Sequence, residues 1–82
     1  MLWGEFLKML EADGVTLESS EYDALTADGE RYTRWFLFRF VEGRPLRYDI
    51  DPPDLARPVS RWMIRRIANQ LRLPYEKYIK PF

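Results

Sequence analysis

The segment from residue 31 to 51 constrains the fold more than any other part of the chain. It reads Arg31-Tyr32-Thr33-Arg34-Trp35-Phe36-Leu37-Phe38-Arg39-Phe40-Val41, then Glu42-Gly43-Arg44-Pro45, then Leu46-Arg47-Tyr48-Asp49-Ile50-Asp51. Aromatic and β-branched residues at this density favour extended backbone, and the glycine- and proline-bearing break between the two runs marks a hairpin. Successive strand side chains point to opposite faces, so Phe36, Phe38 and Phe40 share one face and Trp35, Leu37 and Arg39 the other. A three-residue loop over 42–44 sets Phe40 opposite Leu46, Phe38 opposite Tyr48 and Phe36 opposite Ile50. That register gathers apolar residues on one buried face. It also predicts an open face carrying Trp35, Leu37, Arg39, Arg47 and Asp49, with Arg39 directly opposite Arg47.

Helical signals flank the hairpin. In residues 2–12, Trp3, Phe6, Leu7 and Leu10 follow the i, i+3, i+4, i+7 spacing of a buried helix face. Asp13-Gly14 supplies a stop, and Val15 to Ser19 alternates like a short strand. Residues 20–27 fit either a continued strand or a loop, and Asp28-Gly29 is a turn dipeptide in both cases. Asp51-Pro52-Pro53-Asp54 ends the last strand, because proline cannot donate to a ladder. A second helix is expected over 60–71, with Ser60 as N-cap and Ile64, Ile67, Ala68 and Leu71 on its buried stripe. Tyr75 to Ile79 makes one further turn, with Tyr75, Tyr78, Ile79 and Phe82 docking the tail. The expectation is one α+β domain over 1–82, ordered α-β-β-β-α, with a three-stranded antiparallel sheet and two helices on one face.

At 82 residues there is room for a single core. The chain has no cysteine and no histidine. That excludes disulfides, thiolate zinc sites, and serine–histidine or cysteine–histidine nucleophiles. Asp49, Asp51 and Asp54 form the acidic cluster with a spacing that suits magnesium, but a strand end and proline turn account for them more simply. We therefore assign no catalytic residue, no metal site and no cofactor. The amino terminus lacks the basic start and apolar run of a signal peptide, and no stretch is long enough to span a membrane, so a cytoplasmic protein is expected.

Charge is balanced overall but segregated. Residues 1–30 carry eight acidic groups against Lys8, whereas residues 31–82 carry twelve basic groups, ten of them arginine, against five acidic ones. Arginine presents a planar fork of donors that suits phosphate and carboxylate. At 100° per residue, Arg61, Arg65 and Arg72 fall on one stripe of the closing helix, with Trp62 and Arg66 further round. These five, together with Trp35, Arg39 and Arg47 on the expected open sheet face, are the candidate partner-binding residues.

The element order, the opening helix ending Leu10-Glu11-Ala12-Asp13-Gly14, and the closing Val59-Ser60-Arg61-Trp62-Met63-Ile64-Arg65-Arg66-Ile67-Ala68-Asn69-Gln70-Leu71-Arg72-Leu73-Pro74 resemble the HicA toxin family. That resemblance implies a double-stranded-RNA-binding-domain-like fold; members cleave messenger RNA and are neutralised by a HicB antitoxin. The family's catalytic histidine lies in a Gly-Ser-His type motif, whereas the corresponding strand here reads Thr33-Arg34-Trp35-Phe36-Leu37-Phe38. The fold carries over and the nuclease does not. The leading expectation is a non-catalytic module that presents arginine and tryptophan to RNA or a nucleoprotein. The alternatives are an inhibitor or adaptor that binds an acidic protein, of the kind phages and mobile elements encode, and a degenerate histidine-independent ribonuclease. A second copy of the chain is a further candidate to cover the sheet.

Overall fold

The computed structural model describes residues 1–22 and 32–79. The elements are α1 (Trp3–Ala12), β1 (Thr16–Tyr22), β2 (Tyr32–Val41), β3 (Arg44–Ile50), α2 (Arg61–Gln70) and α3 (Tyr75–Ile79). The strands form one antiparallel sheet in the order β1-β2-β3. This is the expected α+β layout. Of the ambiguous stretch, residues 20–22 continue β1; residues 23–27, the Asp28-Gly29 turn and Phe82 lie outside the described residues.

The core sits between the sheet and the helices. Phe6 and Leu10 from α1, Ile64, Ile67 and Ala68 from α2, and Tyr78 from α3 pack with Val15, Leu37, Val59, Leu71 and Leu73. Leu46, Tyr48 and Ile50 of β3 lean on the same cluster, so all three helices lie on one face of the sheet. Burying one such side chain contributes roughly 1.5–3 kcal/mol, and the cluster draws on every element except β1.

The hairpin register differs from the expected one by a single residue. Val41 pairs with Arg44, Phe40 with Pro45, Arg39 with Leu46, Phe38 with Arg47, Leu37 with Tyr48, Phe36 with Asp49 and Trp35 with Ile50. The loop is therefore the two-residue turn Glu42-Gly43, not three residues. Both turn residues have positive φ, 51° and 76°, which is the type I′ geometry whose twist matches that of the flanking strands. A one-residue shift exchanges the faces of β2 relative to β3. Trp35, Leu37 and Arg39 turn toward the helices, and Phe36, Phe38 and Phe40 turn away from them. The cause is local. Apolar residues occupy both faces of β2, so alternation cannot choose between them, and glutamate is not a residue that advertises a left-handed position.

The helix ends are closed by specific contacts. The Ser60 hydroxyl accepts the Met63 N–H at 3.1 Å, the N-cap bond its sequence position predicts. α2 stops at Gln70, short of the expected Leu71. Arg72 then takes φ 54° and the Leu73 N–H returns to the Ala68 carbonyl at 2.7 Å. This is the left-handed Schellman ending, made here without glycine. α3 is tied to the end of α1 by Asp13, which accepts from Lys77 at 2.6 Å and from the buried Tyr78 hydroxyl. The Lys77 and Tyr78 hydrogen bonds hold the Asp13 carboxyl below its usual range, while burial and the neighbouring carboxylate push the Tyr78 phenol well above its usual 10.0. Tyr78 also meets Phe6 edge-on at 5.7 Å, so this expected tail anchor is part of the core.

Candidate partner-binding surfaces

α2 buries Ile64, Ile67 and Ala68 against the sheet, which leaves Arg61, Trp62, Arg65 and Arg66 exposed. Trp62 is 59% exposed. The Arg66 guanidinium lies 4.8 Å from the Trp62 ring centroid, and that of Arg65 lies 5.8 Å from Tyr75. The helix carries no acidic residue. Among the described residues, neither Arg65 nor Arg66 forms an ion pair. Both guanidiniums lie over aromatic rings on an exposed face. The arrangement is not the cheapest for a helix. Arg61 stands at the positive end of the helix dipole and is four residues from the like-charged Arg65, and each placement costs a few tenths of a kcal/mol.

Arg72 does not extend this stripe. It lies beyond the end of α2 with left-handed backbone, so helical periodicity no longer sets the direction of its side chain. Its carbonyl has a structural partner. Arg39 Nη1 donates to the Leu71 carbonyl at 2.7 Å and to the Arg72 carbonyl at 2.9 Å. Arg39 therefore reaches across the helix side of the sheet to close the carboxyl end of α2, where both hydrogen bonding and the dipole favour a cation.

The expected cluster of Trp35, Arg39 and Arg47 on one open face does not form. Trp35 is half-buried on the helix side, in a cleft of about 830 Å³ whose lining includes Trp3, Tyr48 and Met63. Arg47 alone points outward, and it pairs across the strands with Phe38 rather than with Arg39. The expected like-charge contact is absent because the two arginines lie on opposite faces. Arg47 stacks over Phe36 at 3.9 Å and donates to Asp49 at 2.7 Å.

The outward face instead carries the phenylalanines, with Phe36 and Phe38 half-buried and Phe40 exposed. Phe38 and Phe40 meet edge to face at 4.9 Å, and Phe40 is 64% exposed. Pro45, Arg47 and Asp49 flank the row on β3, and Thr16, Glu18 and Ser20 flank it on β1. These phenylalanines were not among the candidates read from the sequence. The one signal for them lay in Glu42-Gly43, which the sequence reading placed in a three-residue loop and which forms a two-residue turn.

Two aspartates of the cation-spaced cluster, Asp49 and Asp54, have other partners. Asp49 is 3.6 Å from Arg34 as well as bonded to Arg47, and Asp54 accepts the Ala56 N–H at 3.0 Å. Among the described residues no group of three acidic side chains converges on a metal position, and no helix is long and apolar enough to cross a membrane. No protein-family model, curated protein or solved structure matches this chain.

Proposed function

We propose that the chain is a non-catalytic binding module that grips the phosphate backbone of RNA through the outward face of α2. Arg61, Arg65 and Arg66 supply the phosphate contacts and Trp62 a stacking surface. The observation that carries this reading is an exposed tryptophan set among three arginines on a helix with no acidic residue. Such a face tolerates its own repulsion at a small cost in stability and gains most when a polyanion neutralises it. The resemblance to the HicA family, without that family's catalytic histidine, fits RNA binding without cleavage.

Fluorescence anisotropy with labelled duplex and single-stranded RNA tests it. Three phosphate contacts give a log–log salt slope near −2 to −3, so affinity should fall about 20- to 60-fold between 50 and 200 mM salt. The triple charge reversal R61E/R65E/R66E should abolish binding without changing the fold. Binding that survives the triple reversal overturns the proposal. So does capture of an acidic protein by this face while RNA is ignored. Cleavage of the RNA by purified protein would overturn the non-catalytic part.

A further inference from the structure

The position of Trp62 among the arginines of α2 bears on the form of RNA that the helix can hold. On a helical wheel Trp62 lies roughly 60° around the axis from Arg65 on one side and about 40° from Arg66 on the other. Both arginines stand about one turn further along, at i+3 and i+4. The Arg66 guanidinium comes back over the Trp62 ring, 4.8 Å from its centroid, whereas that of Arg65 lies over Tyr75. The indole is thus flanked by cations on both sides, and 59% of the residue remains exposed. Resting on the phosphate-binding role of α2, we infer that its ligand is an unpaired strand. One base stacks on Trp62, and the phosphates beside it meet the flanking arginines.

An exposed indole gains little from a duplex. In an A-form helix the bases are stacked on one another, and a protein meets phosphates, ribose hydroxyls and base edges. The deep major groove is too narrow for side chains to read, and the shallow minor groove shows no base face. Against a duplex the arginines would find phosphate, but Trp62 would find no ring to cover it. An unpaired base supplies that ring. Arg66 occupies one face of the indole, and among the described residues no other ring or guanidinium stacks on it. The opposite face is left for the base. Every base has a π face, so the contact is tolerant of sequence. Charge points the same way, since α2 has no acidic residue to repel the phosphates on either side of the stacked base.

Anisotropy titrations with labelled oligo-uridine, which stays single-stranded, and with a duplex of equal phosphate number test the inference. Trp62→Ala should weaken oligo-uridine binding at least about five-fold and leave duplex binding within about two-fold. Its melting temperature should match that of the parent chain, because Trp62 is outside the core. Trp62→Phe should recover most of the loss, since a smaller ring still stacks. Equal losses on both ligands, or no loss on either, overturn the inference. If R61E/R65E/R66E still abolishes binding in that case, the phosphate-binding role of α2 stands and only the unpaired strand is lost. Failure of the parent chain to bind either RNA, or binding that survives the triple reversal, removes the role itself and the inference with it.

Discussion

The two faces of β2 are built from similar residues and do different work. Toward the helices it presents Trp35, Leu37 and Arg39; away from them it presents Phe36, Phe38 and Phe40. Hydrophobicity alone would bury the phenylalanine row. The protein buries Leu37 to 1% exposure and leaves Phe40 64% exposed. A face is thus assigned by the turn that sets the register and by what the opposite layer can accept. Arg39 shows this most clearly, since it points to the helix side because two carbonyls at the end of α2 wait there for a donor.

The comparison can be broken most sharply at Leu37. Leu37→Ala should cost about 2–5 kcal/mol in urea unfolding, as buried leucines do, whereas Phe40→Ala should cost less than about 1. Equal losses at the two sites would mean that both faces are core. Arginine provides the next contrast. Arg39→Met removes two hydrogen bonds from a charged donor and should destabilise by about 1.5–3 kcal/mol, while Arg47→Met on the outward face should cost about 1 or less. If Arg47 proves the more costly, the faces have been exchanged. At the turn, Gly43→Ala should lose about 1 kcal/mol through its left-handed backbone, and Glu42→Asn should gain a few tenths. A three-residue loop would respond to neither in this way.

Most of the scaffold was legible in the sequence, for reasons that can be named. The 3.6-residue period of Phe6 and Leu10 marked α1, Ser60 announced the start of α2, and Pro52-Pro53 closed β3. The hairpin register was not legible because Trp35, Phe36, Leu37 and Phe38 give period-two alternation nothing to separate. Arg61, Trp62, Arg65 and Arg66 are on the helix where periodicity puts them, but Arg72 is not. A left-handed cap at an arginine carries no sequence signature. Arg39 read as a surface charge because its partners are main-chain carbonyls more than thirty residues away.

The smallest effect concerns the tie between α1 and α3. The Asp13 carboxyl is depressed by Lys77 and Tyr78, so its contribution to stability is present above its usual 3.8 and is lost as pH falls through the lower folded value. Tyr78 behaves in the opposite sense. Its phenol is raised, so its contribution is intact below about 10.0 and declines as pH rises beyond that. Chemical denaturation across pH should therefore show an acid limb that Asp13→Asn flattens and an alkaline limb that Tyr78→Phe flattens. Limbs unchanged in both variants would mean that the contact does not couple the helices.

The central claim is that the outward face of α2, and not the phenylalanine face of the sheet, meets a polyanion. The most direct measurement is an NMR titration of a labelled sample with RNA. RNA should move the Trp62 indole and the amides of α2 and leave the Phe36, Phe38 and Phe40 ring signals in place. Phenylalanine rings that respond to RNA while Trp62 stays still would contradict the account.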